Sequence, residues 1–332
     1  MSKRVIGQHA DGAVEEVVLE SAGARVAVMN YGAVIRDWRV EADGRAVPCV
    51  LGFEDFAPYP QHSKSFGIIA GRVANRTAGG RFTLDGVDHA LPINNGPNHL
   101  HGGPKGLGKR LWDLELDAGA AVLHYHSPDG EMGYPGAVNF EVRFTLDGAR
   151  LTCDMRGVPD RPTPINLAQH NYYNLNGHGT VLDHELRIAA SRYTPVDATQ
   201  IPTGDIVAVD STQLDFRVPR RIGAADPDRL GADHNLVLDP RRDRTDPAAE
   251  LAADSGLHLK LWTDQPGLQL FTAKPMEIAH PGHDGVRYGP FGGVCLEAQH
   301  FPDSLNRPDW PSIIATPETP YLQRFAVEIA AR

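Results

Sequence analysis

Glu297 is the residue whose placement most calls for chemistry. It stands alone in the apolar run Gly292-Gly-Val-Cys-Leu-Glu-Ala-Gln-His-Phe-Pro-Asp303, which otherwise reads as a buried strand. An ionised carboxylate is costly to bury unless it is paired or hydrogen-bonded. Partial desolvation also raises its pKa toward the range where it takes and returns protons near neutral pH. A Glu on the solvent face of a half-buried strand is the competing reading, and this segment alone does not choose between them.

Four more segments carry polar side chains in apolar surroundings. Gly71-Arg-Val-Ala-Asn-Arg76 follows the apolar run Phe66-Gly-Ile-Ile-Ala70. Arg76 brings a permanent charge and a fixed fork of donors, suited to sugar hydroxyls or a developing oxyanion. Standing alone it reads as a surface or salt-bridged Arg. In Asn98-His-Leu-His-Gly-Gly103, His99 and His101 are two apart, so on a strand they share a face. No acidic or thiol cluster adjoins them, which argues against a metal site. The paired glycines point to a tight backbone approach beside His101.

Pro164-Ile-Asn-Leu-Ala-Gln-His-Asn-Tyr-Tyr-Asn-Leu-Asn-Gly177 packs amides and tyrosines around Leu167 and Leu175. Amides donate and accept, and ring faces stack on the apolar side of a sugar, with His170 as the titratable centre. An Asn-rich turn with its tyrosines in the core is the plainer reading. In Gly231-Ala-Asp-His-Asn-Leu-Val-Leu238, Asp233 opens an apolar strand, where a turn or cap Asp is the simpler expectation. The sum is a Glu, histidines, an Arg and an Asp: a general acid–base kit that calls for no metal and no cofactor. No phosphate-binding Gly-rich loop, zinc-type Cys cluster or Gly-x-Ser-x-Gly elbow accompanies it.

The elements that must hold this kit read as β almost throughout. Val14 to Leu19 and Ala24 to Val40 are rich in β-branched and apolar residues, interrupted at Asn30-Tyr-Gly32. Asp-Gly pairs at 43–44, 85–86, 129–130 and 147–148 are hairpin signals, because both turn positions need positive φ. The 34 Gly and 26 Pro would interrupt long helices. Many short strands with frequent turns predict an all-β chain folded as a large antiparallel β-sandwich. No convincing boundary divides it, so residues 1–332 read as a single domain. Asp239 to Asp254, rich in Asp, Arg and Ala, reads as a surface excursion.

Composition narrows the partners. The formal net charge of -10 argues against nucleic acid and anionic membrane surfaces. No apolar run approaches bilayer length, and the N-terminus lacks the apolar core of a secretory signal. The 3 cysteines, Cys49, Cys153 and Cys295, are too far apart for a metal motif and give no disulfide framework, which suits a cytoplasmic protein.

In order and spacing, Gly71–Arg76, Leu100-His-Gly-Gly103, Asn166–Leu175, Asp233-His-Asn235 and Leu296–Asp303 resemble the aldose 1-epimerase (galactose mutarotase) family. Connecting segments agree, among them Tyr193-Thr-Pro-Val-Asp197 and Pro266-Gly-Leu-Gln269, so the likeness runs from about Val14 to Ile329. The resemblance implies a β-sandwich with a sugar in an open cleft. It implies Glu297 as general base and His170 as general acid. Arg76, His101 and Asp233 would hold the sugar and support its ring oxygen, with further contacts from Asn75, Tyr172 and Gln269. The partner would be a free monosaccharide such as galactose or glucose, the protein a monomer or homodimer. Two departures, Gln169-His-Asn-Tyr-Tyr173 and Phe271-Thr-Ala-Lys274, fall where sugar contacts would be shaped.

Three alternatives remain at this stage. A hexose-6-phosphate 1-epimerase would need extra cations for phosphate, for which Arg241-Arg-Asp-Arg244 is the candidate. A non-catalytic sugar-binding module would be expected to lack Glu297 or His170. A glycosidase would need two carboxylates at a defined separation, with Glu297 and Asp233 as the pair.

Overall fold

The computed structural model describes residues 2–331. Strands take up 46% of the chain and helix 7%, so the all-β expectation holds. Three antiparallel sheets dominate. A five-stranded meander uses the first strands, from Lys3–His9 to Arg45–Pro48. A nine-stranded sheet has Val138–Asp147, Arg150–Pro159, Tyr321–Ala331 and Leu257–Thr263 at its centre. A six-stranded sheet runs in the order Tyr172–Tyr173, Val294–Gln299, Gly267–Phe271, Asp233–Leu238, Ala190–Thr194, Val207–Ala208.

Alternation explains how the sheets stack. Leu257–Thr263 buries every second residue, so its leucines face inward and His258, Lys260 and Trp262 face outward. Those leucines share one core with Phe140, Phe144 and Val327 of the same sheet, Val26 and Trp38 of the meander, and Leu236, Leu268 and Leu296 of the six-stranded sheet. The result is a sandwich whose core is built from contacts remote in sequence.

Local signals hold unevenly. Asp43-Gly44 and Asp85-Gly86 are tight hairpin turns with both residues at positive φ. Gly148 turns the Val138–Asp147 and Arg150–Pro159 hairpin, with Asp147 paired to Arg150. Asp129-Gly130 differs: it starts a longer loop, in which Asp129 accepts from the Gly136 N–H and pairs with Arg161. The 239–254 stretch is only half an excursion. Its second half forms the strand Ala249–Ala252, which joins the nine-stranded sheet and buries Leu251. The charged first half masked a short apolar strand.

Candidate active site

The Val294–Gln299 strand is buried on both faces, and this sets the site. Leu296 and Ala298 face the central core. Cys295, Glu297 and Gln299 therefore share the opposite face. Register carries the polar face outward across the sheet. Glu297 is opposite Gln269, which is opposite Asn235, while Cys295 is opposite both Tyr172 and Phe271, the latter opposite Asp233. Gly293 permits this approach, because a Cβ there would come within 2.9 Å of the Tyr172 side chain.

Two loops close over that face. His170 hangs from the 67–70 segment, its N–H bonded to the Ile68 carbonyl and its carbonyl accepting from Gly67. Asn75 and His101 clasp each other: the His101 N–H donates to the Asn75 carbonyl (3.0 Å), and the Asn75 N–H donates to His101 Nδ1 (3.1 Å). Both residues sit at positive φ, and Gly102 lies so close to Gly71 that an added Cβ would reach its carbonyl oxygen. The tight approach expected beside His101 is present. His99 and His101 nevertheless do not share a role or a face. Their strand ends at Leu100, and His99 turns inward to the Pro92 carbonyl and the Tyr134 hydroxyl.

The cleft has a volume of about 240 Å³ and is lined by Asn75, Arg76, His101, His170, Tyr172, Asp233 and Glu297, with Lys64, Ser65, Leu100 and Phe271. That suits a ligand smaller than the drug-sized occupants of ~300–1,000 Å³ pockets. Arg76 Nε donates to Asn95 Oδ1 (2.9 Å), and its Nη1 lies 3.6 Å from Asp233 Oδ2. Gln269 stands behind the wall and donates to Asp233 Oδ1 (2.6 Å). Its other amide atom, Oε1, has no hydrogen-bond partner among the described residues. The Tyr172 hydroxyl is also spoken for: it donates to the Lys64 carbonyl (2.9 Å), while its ring stacks on His170 at 5.1 Å.

Glu297 Oε2 lies 3.6 Å from His170 Nε2. Glu297 is 2% exposed, and its Oε2 has no hydrogen-bond partner among the described residues. Burial pushes its pKa well above the ordinary carboxylate range; Asp233 adds to the rise and Arg76 opposes it. Burial pushes His170 down to about 4. His101 is also held well below the usual histidine range, by burial first and then by His170 and Arg76. A neutral His101 that accepts at Nδ1 carries its proton on Nε2, so it serves as a donor.

The departures at 169 and 171 do not line the cleft. Gln169 and Asn171 are buried and bond each other, Gln169 Nε2 to Asn171 Oδ1 at 2.7 Å. They shape the backbone that carries His170. Ala273 is buried and Lys274 exposed against Gly231, so neither lines the cleft. Sequence reasoning missed Lys64 and Ser65, which reach the cleft through consecutive positive-φ positions that no local signal marks. It also missed Cys295 as a neighbour of His170: Sγ lies 3.6 Å from His170 Nδ1. With Glu297 these two residues form a His, Cys and carboxylate set whose donor atoms lie within 4.8 Å of one another.

A larger groove, of about 780 Å³, gathers Arg187, Arg192, Arg217, Arg241 and Arg242 with Asp239. It contains neither a His nor a Glu; its acidic side chains are Asp239, Asp243 and Asp246.

Comparison with known proteins agrees with this geometry. The family model described as aldose 1-epimerase matches residues 15–328. The galactose mutarotase of Bos taurus is 40% identical over 315 residues, 93% of this chain and 92% of its own. The aldose 1-epimerase of Escherichia coli K12 is 35% identical over 302 residues, 88% of this chain and 87% of its own. Among solved structures, an aldose epimerase homologue from C. elegans superposes with a TM-score of 0.91 at 27% identity, covering 96% and 99% of the two chains. A galactose 1-epimerase from Lactobacillus acidophilus NCFM gives 0.85 at 28% identity, covering 99% and 98%. With this likeness running along nearly its whole length, the chain belongs to the aldose 1-epimerase family.

Proposed function

We propose that this protein is an aldose 1-epimerase that interconverts the α and β anomers of free aldohexoses such as galactose and glucose by opening and closing the ring. The observation that carries the reading is the buried His170–Glu297 pair at 3.6 Å, with an unpartnered carboxylate oxygen beside the cleft. Ring opening removes the proton from the anomeric hydroxyl, adds one to the ring oxygen and breaks the C1–O5 bond. Rotation about C1–C2 offers the other carbonyl face, and closure returns both protons. Glu297 takes the O1 proton and His170 protonates O5, each step worth roughly 10²–10⁴-fold.

Before opening, His170 is protonated and Glu297 ionised; after opening, His170 is neutral and Glu297 protonated. The two forms hold the same number of protons. Burial favours the second, whereas the short separation favours the first. Arg76 and the Nε2–H of His101 supply donors for charge growing on the sugar oxygens, and Asp233, aimed by Gln269, accepts from hydroxyls. Asn75 and the Tyr172 ring complete the wall.

The chain is read as one domain with one such site, since its central core draws on residues from Val17 to Ile329. A cytoplasmic setting is supported by three free, buried cysteines, and no helix among the described residues is long and apolar enough to cross a membrane. The phosphorylated-sugar alternative loses support, because Arg241 and Arg242 line the other groove rather than this cleft. Polarimetry of freshly dissolved α-D-galactose and α-D-glucose tests the reading. Faster decay to the unchanged final rotation supports it; no acceleration with either sugar refutes it.

A further inference from the structure

Spacing along the chain set metals aside, yet the fold assembles donors that spacing hid. His170, Cys295 and Glu297 come from two separate segments and meet in the cleft wall, where His170 and Glu297 line the cleft and Cys295 is buried behind them. Two of their pairs stand at 3.6 Å: His170 Nδ1 to Cys295 Sγ, and His170 Nε2 to Glu297 Oε2. Tetrahedral zinc, with bonds of ~2.0–2.1 Å to nitrogen or oxygen and ~2.3 Å to sulfur, holds such donors roughly 3.4–3.6 Å apart. A cation engages one ring nitrogen, so only one of the two 3.6 Å pairs is used directly; the third donor, within 4.8 Å of the others, closes in by side-chain rotation.

Glu297 Oε2 supplies an independent pointer. It is buried and faces the cluster with no hydrogen-bond partner among the described residues. A cation would satisfy that orphaned oxygen, with three side chains as its protein ligands, the number that catalytic zinc sites use. The geometry points to a second ligand class for this cleft: a thiophilic divalent cation, zinc foremost, held by His170, Cys295 and Glu297 and excluding the sugar. Coordination exchanges the Cys295 thiol proton and the proton shared by the dyad for the cation, with no redox change. Such a site makes the enzyme zinc-inhibited. The inhibitory half rests on the reading of the cleft as the sugar site; the binding half does not.

Cobalt titration into the full chain, freed of metal and chelator, tests binding without reference to activity. A near-ultraviolet thiolate-to-cobalt absorption is expected at one cobalt per chain, displaced by zinc and lost in Cys295→Ser. Zinc should raise the KM for galactose in proportion to its concentration while kcat holds. In Cys295→Ser the zinc effect should weaken by more than the ~10–100-fold typical of an outer-shell change. No thiolate band, or equal inhibition of wild type and Cys295→Ser, overturns the site. X-ray absorption of the zinc-loaded wild type keeps the question open to refutation if Cys295→Ser does not fold. One sulfur at about 2.3 Å supports the site, and a shell of nitrogen and oxygen alone rejects it. A chain that binds cobalt through sulfur but does not mutarotate would sink the proposed activity and leave the metal site standing.

Discussion

Replacing Glu297 by Gln keeps the side chain's shape and removes its charge, and the structure lets the consequence be worked through. Burial holds His170 at about 4. The ionised carboxylate 3.6 Å away attracts an imidazolium. At an effective dielectric near 20 this attraction amounts to about 4–5 kcal/mol. That attraction opposes the desolvation and raises the imidazole's pKa. The Glu297→Gln substitution removes this lift, so at pH 7 the variant loses its base and its acid together. Turnover should fall by about 10²–10⁴. Adding His170→Asn should cost little more, because the pair acts as a unit. Initial mutarotation rates of galactose in the polarimeter, for both single variants and the double, give the answer. A double variant that loses the product of the two single losses would refute the shared-proton account, as would near-normal turnover in Glu297→Gln. The same account fixes the wild-type pH profile. The working dyad holds one proton, so kcat/KM should fall as pH drops toward about 4, when a second proton joins His170. It should fall again on the alkaline side at the raised pKa of Glu297, when the last proton leaves. Assays with a chelator present keep zinc from distorting either limb.

Tyr172→Phe removes only a hydroxyl that serves the Lys64 carbonyl, so it should cost about 1 kcal/mol of stability and little turnover. Tyr172→Ala, which takes away the ring stacked on His170, should lower kcat much further; equal losses in the two variants would assign the work to the hydroxyl. Gly102→Ala drives a Cβ into the Gly71 carbonyl oxygen at a φ of 78°, so urea unfolding should show a loss of ~3 kcal/mol or more. Gly86→Ala, at the same φ in open space, should cost about 1 kcal/mol and serves as the control.

The residue types of the site were legible in the chain because each violates its local pattern. Glu297 interrupts an apolar strand, and Asp233 opens one. Asp43-Gly44 and Asp85-Gly86 announced their turns because positive φ at successive positions is a local demand that few residue pairs meet. The β class followed from the same short-range regularities. Where a local signal was overruled, a partner distant in sequence was responsible. Ala249–Ala252 became a strand because Glu185–Ile188 and Leu257–Thr263 flank it. His99 and His101 parted because the strand ends between them and Tyr134 claims the first.

Short-range pattern was enough to specify an antiparallel β chain and an acid–base set of Glu, His, Arg and Asp. The roles came as expectations from the family resemblance, whereas the state those groups occupy came from the packed fold alone. Protonation follows desolvation, and desolvation depends on every strand packed around a side chain rather than on its neighbours in sequence. That is why Glu297 is raised and His170 lowered, and why the tautomer of His101 follows from the Asn75 N–H. It is also why Gln269 and the Tyr172 hydroxyl serve carboxylate and backbone, and why Cys295, unremarkable in the chain, ends up within reach of both acid and base.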